Sequence, residues 1–141
     1  MLVVSLVVRP AEAFDDASIV RINADIPNRG ISNGSGCFWL SGDQILTAYH
    51  VIQGADRIRV YAGGKAYKDV QVVSISPSHD LALLQVGDLP PGKEFPPLSP
   101  WSGAGPPFHR LLPVEVSGHP IGWHPTFRLE GRIASRDYVP S

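Results

Sequence analysis

The sequence predicts an all-β fold whose main unit is an antiparallel six-stranded β-barrel. Short apolar runs bounded by Gly, Asn, Asp and Pro recur along the chain, and helical periodicity is hard to find. Gly and Pro number 14 each, which favours turns and short strands over long helices. An antiparallel barrel is the natural closed arrangement for such strands, because closure removes exposed edges.

Six strands account for the first predicted unit, which we place at residues 14–87. Turns are predicted where Gly, Asn, Ser and Asp cluster, at 28–30, 33–34, 41–43 and 63–64. A single helical turn is predicted from Tyr49 to Gln53, closed by Gly54. The predicted strands are Ser18–Ala24, Gly36–Leu40, Gln44–Ala48, Arg57–Ala62, Tyr67–Ser76 and Leu81–Val86.

The character of the sequence changes after Gly87. Seven prolines lie between Asp88 and Pro107, and such a stretch cannot supply regular hydrogen-bond donors to a sheet. We interpret residues 88–110 as a proline-rich linker that crosses the surface. Strand-like sequence resumes at 111–117 and 126–135, so residues 111–141 are predicted to form the first hairpin of an incomplete second barrel.

The first 13 residues are interpreted as the remnant of an export signal. Leu2–Val8 is an apolar run, and it is followed by an Ala-Glu-Ala pattern typical of signal cleavage sites. The run is too short to span a bilayer as a helix. The prediction is therefore an exported protein, periplasmic or secreted, without a membrane span. The alternative is an ordinary apolar strand or a frayed tail at the amino terminus.

Composition excludes several function classes. The chain is 43% hydrophobic and 18% charged, which is typical of a globular protein. Its net charge of −1 does not indicate the excess of basic residues that is typical of nucleic-acid binding. Cys37 is the only cysteine, which excludes an intramolecular disulfide and a zinc site built on several thiolates. We expect Cys37 to be buried. The spacing of His119 and His124 fits no helical metal pair, so neither a metal nor a cofactor is predicted.

Two polar residues stand at junctions with strongly apolar strands. His50 follows a predicted strand, and Asp80 precedes another 30 residues later. A hydroxyl is a poor nucleophile near neutral pH, so a neutral imidazole must take its proton and an ionised carboxylate must orient that imidazole. His50 and Asp80 have the residue types and the order for these two catalytic roles.

The sequence around these residues resembles a known family. Leu46–Val51 is similar to the Thr-Ala-x-His signature of trypsin-like (chymotrypsin-fold) serine proteases, and residues 80–84 to their Asp-(Ile/Leu)-Ala-Leu-Leu segment. The Gly-Ser-Gly at 34–36 resembles the strand preceding the His. Residues 118–122 and 131–135 resemble the opening of the second barrel. The resemblance covers roughly residues 18–137, the amino-terminal half of the family, and favours the bacterial HtrA-like branch.

The resemblance implies a serine endopeptidase built from two barrels, with the active site in the cleft between them. His50 would be the general base and Asp80 the orienting carboxylate, and the substrate would be a protein or peptide. The nucleophilic Ser belongs to a Gly-(Asp/Asn)-Ser-Gly-Gly segment of the second barrel, which this sequence does not reach. We therefore expect the 141 residues to be inactive alone. Ser35 is unsuited as a substitute, because it precedes the His.

A non-enzymatic interpretation stays open at this stage. The chain could be a protease-like protein without activity that acts as a binding module through its barrel surface. The oligomeric state and the cleavage specificity are not predicted by the sequence.

Overall fold

The computed structural model describes residues 7–10, 16–99, 113–118 and 127–132, with side chains from 17 to 99. These residues form two antiparallel sheets, one short helix and two single 3₁₀ turns, at Asp16–Ser18 and Pro77–His79. In chain order the elements are β1 (Val7–Pro10), β2 (Ile19–Ile26), β3 (Gly30–Phe38), β4 (Gln44–Ala48), α1 (Tyr49–Ile52), β5 (Arg57–Ala62), β6 (Lys65–Tyr67), β7 (Val70–Ser76), β8 (Leu81–Val86), β9 (Pro113–Gly118) and β10 (Phe127–Arg132).

The main sheet has seven strands in the order β6-β5-β2-β3-β4-β8-β7, and every pair is antiparallel. The sheet curls until β5 contacts β7, although no ladder joins these two strands. A groove of about 410 Å³ lies along this seam, lined by residues of β2, β5 and β7. The predicted all-β antiparallel fold is confirmed, as a curled half-barrel that is open at the seam.

The sheet has seven strands where the sequence predicted six, because the predicted strand Tyr67–Ser76 is interrupted. The interruption arises from hydrogen bonds to the segment that follows β8. The N–H of Lys68 donates to the carboxylate of Asp88 at 3.1 Å, and the N–H of Gly87 donates to the carbonyl of Asp69 at 2.7 Å. These bonds draw residues 68 and 69 away from β5, so β6 ends there and β7 begins.

One predicted turn is wrong. Asn33 and Gly34 lie inside β3, where they face Asn23 and Ile22 of β2 across the ladder. The observed turn is at residues 27–29, which overlaps the turn predicted at 28–30, and it joins β2 directly to β3. The Asn-Gly pair at 33–34 was therefore misleading, since its glycine serves close packing rather than chain reversal.

The other predicted turns are present. The helical turn after β4 is α1, Tyr49–Ile52, with Gly54 beyond it at a φ of 80°. In the β3–β4 turn the hydroxyl of Ser41 donates to the carboxylate of Asp43. This hydrogen bond lowers the pKa of that carboxyl, because it favours the ionised form.

The core lies inside the curled sheet and is made by alternating residues of its strands. Strand β8 shows the pattern, since Ala82, Leu84 and Val86 are buried while the residues between them are not. The largest fully buried apolar side chains are Phe38, Ile22, Ile45, Leu84, Val20, Val51 and Val60. This alternation fixes the register, because a shift by one residue would expose every buried side chain of a strand.

The proline-rich segment after β8 contributes to the core, which the sequence did not predict. Residues 88–97 form neither helix nor strand, but Phe95 is only 5% exposed. Its ring stacks on Phe38 with centroids 4.6 Å apart and meets Tyr67 edge-on at 6.1 Å. Leu98 then forms a bridge with Trp39, so this segment is fastened to the barrel. The rest of the predicted linker, 100–110, lies outside the described residues.

The second sheet has the order β1-β9-β10. Strands β9 and β10 pair antiparallel, from Phe127 opposite Gly118 to Arg132 opposite Pro113, as the sequence predicted for a hairpin. Strand β1 pairs with the other side of β9. Four residues of the segment interpreted as an export signal therefore form a strand, and removal of that segment stays a prediction. In the described part of the chain, no helix is long and apolar enough to cross a membrane.

We predict that Phe95→Ala lowers the free energy of unfolding by about 3 kcal/mol, because it empties a buried aromatic site. Urea denaturation of the 141-residue chain measures this. Glu94→Ala, at the exposed neighbouring position, is the control and should change stability by less than about 0.5 kcal/mol. Equal effects of the two substitutions would show that Phe95 is not a core residue.

We predict that the thiol of Cys37 is inert in the folded protein. The side chain is buried, as expected from its neighbours, and burial raises its pKa to about 12. At pH 8 the reactive thiolate is therefore scarce and inaccessible. Ellman's reagent should react with one thiol per chain only after denaturant is added. Stoichiometric reaction without denaturant would contradict the observed burial.

Candidate active site

The pairing of β4 with β8 brings His50 and Asp80 together. Ala48, at the end of β4, lies opposite Leu81, at the start of β8. The N–H of Tyr49 then donates to the carbonyl of Asp80 at 3.1 Å, which continues the contact one step beyond the ladder. Since His50 is the next residue after Tyr49, it comes directly beside Asp80.

The two residues are joined by a double contact. The backbone N–H of His50 donates to Oδ1 of Asp80 at 2.9 Å, and the ring Nδ1 of His50 is hydrogen-bonded to Oδ2. Both carboxylate oxygens are thus engaged, which fixes the carboxylate plane relative to the imidazole. With Nδ1 donating to Oδ2, the second ring nitrogen, Nε2, is the basic one.

Both members of this pair remain accessible. The side chain of His50 is 37% exposed and that of Asp80 is 49% exposed. The pair therefore stands at a surface where a further group can approach Nε2.

The backbone of Asp80 is unusual. It adopts the left-handed conformation, with φ 54° and ψ 46°, immediately after the 3₁₀ turn Pro77–His79. Its N–H donates to the carbonyl of Pro77 at 3.2 Å and closes that turn. Non-glycine residues rarely adopt this conformation, although Asp tolerates it better than most. Sequence reasoning missed this feature, since only the proline before the motif hints at a turn.

A glycine fixes the position of the helical turn that carries His50. A Cβ on Gly34 would lie 2.5 Å from Cγ2 of Val51, which is fully buried next to His50. Strand β3 can therefore approach α1 only because residue 34 has no side chain. Close packing explains both glycines of the Gly-Ser-Gly motif at 34–36, because a Cβ on Gly36 would likewise lie 2.8 Å from the carbonyl oxygen of Leu46.

A buried hydrogen bond holds the strand that leads to His50. The hydroxyl of Thr47 donates to the carbonyl of Ser35 at 2.8 Å, and both residues are almost fully buried. This bond joins β3 to β4 three residues before His50. Ser35 therefore lies inside the sheet, where it is 1% exposed.

The remaining histidines have separate outcomes. His79 is exposed and lies next to Asp80, and its Nδ1 is within hydrogen-bond distance of two serine hydroxyls. His109, His119 and His124 lie outside the described residues. In the described part, no three His, Cys, Asp or Glu side chains come together as metal ligands would.

Comparisons with known proteins identify the family to which this chain is similar. Residues 34–140 match the family model of the trypsin-like peptidase domain. Two curated relatives, the serine proteases MT3772 and Rv3671c from two strains of Mycobacterium tuberculosis, are each 37% identical over 119 residues, which is 84% of this chain and 28% of the relative. Protease Do-like 1, chloroplastic, from Arabidopsis thaliana is 38% identical over 64 residues, 45% of this chain and 14% of its own length.

Two solved structures are also similar to this chain. The crystal structure of the Rv3671c protease in its active form aligns with a TM-score of 0.69 at 34% identity, covering 83% of this chain and 48% of that one. The inactive form aligns with a TM-score of 0.66 at 33% identity, covering 85% and 52%. The chain belongs to the trypsin-like peptidase family. It spans about half of these solved chains and 28% of the two mycobacterial relatives.

We predict that Gly34→Ala destabilises the chain by about 1–3 kcal/mol, because the added methyl group overlaps Val51 in a packed core. Chemical denaturation measures the change. The control is the double variant Gly34→Ala/Val51→Ala, which removes the overlapping atoms. The substitution at 34 should cost measurably less in the Val51→Ala background. An equal cost in both backgrounds would show that the contact with Val51 is not the reason for glycine at this position.

Proposed function

We propose that this chain supplies the general base and the orienting carboxylate of a serine endopeptidase. The observation that supports the assignment is the double contact between His50 and Asp80, with Nδ1 and the backbone N–H of one residue held by the two carboxylate oxygens of the other. The same two residues lie in the sequence segments that resemble the catalytic motifs of the family. Membership of that family supports a protein or peptide as the substrate.

In the proposed mechanism Nε2 of His50 takes the proton from a serine hydroxyl as that oxygen attacks the scissile carbonyl. Asp80 keeps the proton on Nδ1 and stabilises the imidazolium that forms. His50 then gives its proton to the leaving amine, which yields an acyl-enzyme. In the second half-reaction His50 takes a proton from water as the water oxygen attacks the ester carbonyl. His50 then returns that proton to the departing serine oxygen, which releases the carboxylic acid and restores the serine.

The nucleophilic serine belongs to the second barrel in the family, so the proposal assigns only half of the site to residues 17–99. A triad without its serine retains at best a small residual activity. We propose in addition that the protein acts outside the cytoplasm, because the apolar run Leu2–Val8 with its following Ala-Glu-Ala resembles an export signal.

We predict that a fluorophosphonate probe does not label the 141-residue chain. The probe requires a serine activated by His50, and Ser35, which has the most similar sequence context, is 1% exposed. Intact mass spectrometry measures the adduct. Trypsin treated in parallel serves as the positive control. Stoichiometric labelling of any serine in the chain would contradict the proposed division of the site.

We predict that the protein expressed from the complete gene hydrolyses peptide bonds and that His50→Ala lowers kcat by about 10⁴-fold or more, because the general base is lost. Gln53→Ala, at an exposed position beyond α1, is the control and should retain activity. Unchanged kcat in His50→Ala would refute the assignment. A wild-type protein that neither hydrolyses peptides nor binds the probe would favour the non-catalytic binding module.

A further inference from the structure

The turn before Asp80 is held by a small cluster of polar side chains. The hydroxyl of Ser76 is hydrogen-bonded to Nδ1 of His79 at 2.9 Å, and the hydroxyl of Ser78 lies 3.2 Å from the same nitrogen. Ser76 is the residue before the 3₁₀ turn, and His79 is its last residue. The side-chain contact therefore spans the turn from end to end.

No apolar packing fixes this turn. None of the three residues from Pro77 to His79 is buried. The hydroxyl of Ser76 caps no backbone group of the turn. The β7–β8 ladder flanks the turn, with Ser76 opposite Leu81. Within the turn, the hydrogen bonds are the one from the Asp80 N–H to the Pro77 carbonyl and the side-chain contacts of His79.

The turn sets the direction of the Asp80 carboxylate. Asp80 is fixed on its carbonyl side, where Tyr49 donates to it and Leu81 enters the ladder, and on its N–H side by the turn that starts from Ser76. Its left-handed backbone aims the carboxylate at His50. If the turn opened, Asp80 could relax to a more common backbone conformation, and the carboxylate would rotate away from the imidazole.

We propose that His79 is a positioning residue for Asp80. Its hydrogen bond with Ser76, which we call the clasp, holds the turn closed. The closed turn keeps the backbone of Asp80 in the left-handed conformation and its carboxylate against His50. The functional significance of this role rests on the proposed function of the His50–Asp80 pair, but the positioning itself does not.

The test is amide hydrogen exchange of the full 141-residue chain, followed by NMR. The His50 amide donates to Oδ1 of Asp80, so its protection reports where the carboxylate is. Asp80→Ala should remove that protection and establishes the readout. His79→Phe keeps a ring but has no nitrogen, and His79→Asn offers an amide group that can donate or accept a hydrogen bond close to the place of Nδ1. Ser76→Ala removes the other end of the clasp, and Ser74→Ala on the same strand is its matched control.

We expect His79→Phe and Ser76→Ala each to speed exchange of the His50 amide about fivefold, the equivalent of one net hydrogen bond. His79→Asn should stay within about twofold of the wild type, as should Ser74→Ala. Amides of the β4–β8 ladder should be unchanged in all four variants, because loss of the clasp is local. Unchanged His50 exchange in both His79→Phe and Ser76→Ala would overturn the proposal, as would equal acceleration of every amide.

The same variants separate this inference from the proposed function. In the complete protein, His79→Phe should lower kcat several-fold and leave KM unchanged, since the turn acts on Asp80 and not on the substrate. If exchange at His50 responds but His50→Ala leaves kcat intact, the positioning role stands and the catalytic proposal fails. If His50→Ala abolishes activity but exchange does not respond to His79→Phe, the catalytic proposal stands and the positioning role fails.

Discussion

The antiparallel pairing of β4 with β8 is the interaction on which the site depends. Its register sets Ala48 opposite Leu81, so the residues just beyond the two strand ends meet. A shift of two residues would preserve the buried face of each strand but would separate His50 from Asp80 by about 7 Å along the ladder. The register is held by core residues of the two strands, such as Ile45 opposite Leu84.

The site combines a rigid side with a weakly supported side. His50 follows a strand tied to β3 by the Thr47 hydrogen bond and is backed by Val51 packed against Gly34. Asp80 follows an exposed turn in an uncommon backbone conformation. Close packing thus fixes the backbone that carries His50, whereas the turn before the carboxylate is held by hydrogen bonds and by the pairing of Ser76 with Leu81. We expect substitutions near His50 to alter stability first, and substitutions near Asp80 to alter geometry first.

Local sequence predicted the strands and proposed the two residues of the candidate site, because alternation and short motifs depend on near neighbours. It did not predict features that arise from distant contacts. Gly34 was assigned to a turn, since nothing nearby in the chain shows that Val51 packs against it. The break before Val70 depends on bonds to Gly87 and Asp88, and the burial of Phe95 depends on a ring 57 residues earlier, Phe38. The left-handed backbone of Asp80 was likewise invisible, because Asp is compatible with several conformations.

The central claim is that His50 and Asp80 act as one catalytic unit. The most direct test is a double-mutant cycle on kcat/KM of the complete protein, with His50→Ala, Asp80→Asn and the double variant. If Asp80 acts only through His50, the double variant is no less active than His50→Ala alone, because nothing remains for the carboxylate to orient. Losses that multiply in the double variant would show that the two residues act independently and would contradict the account.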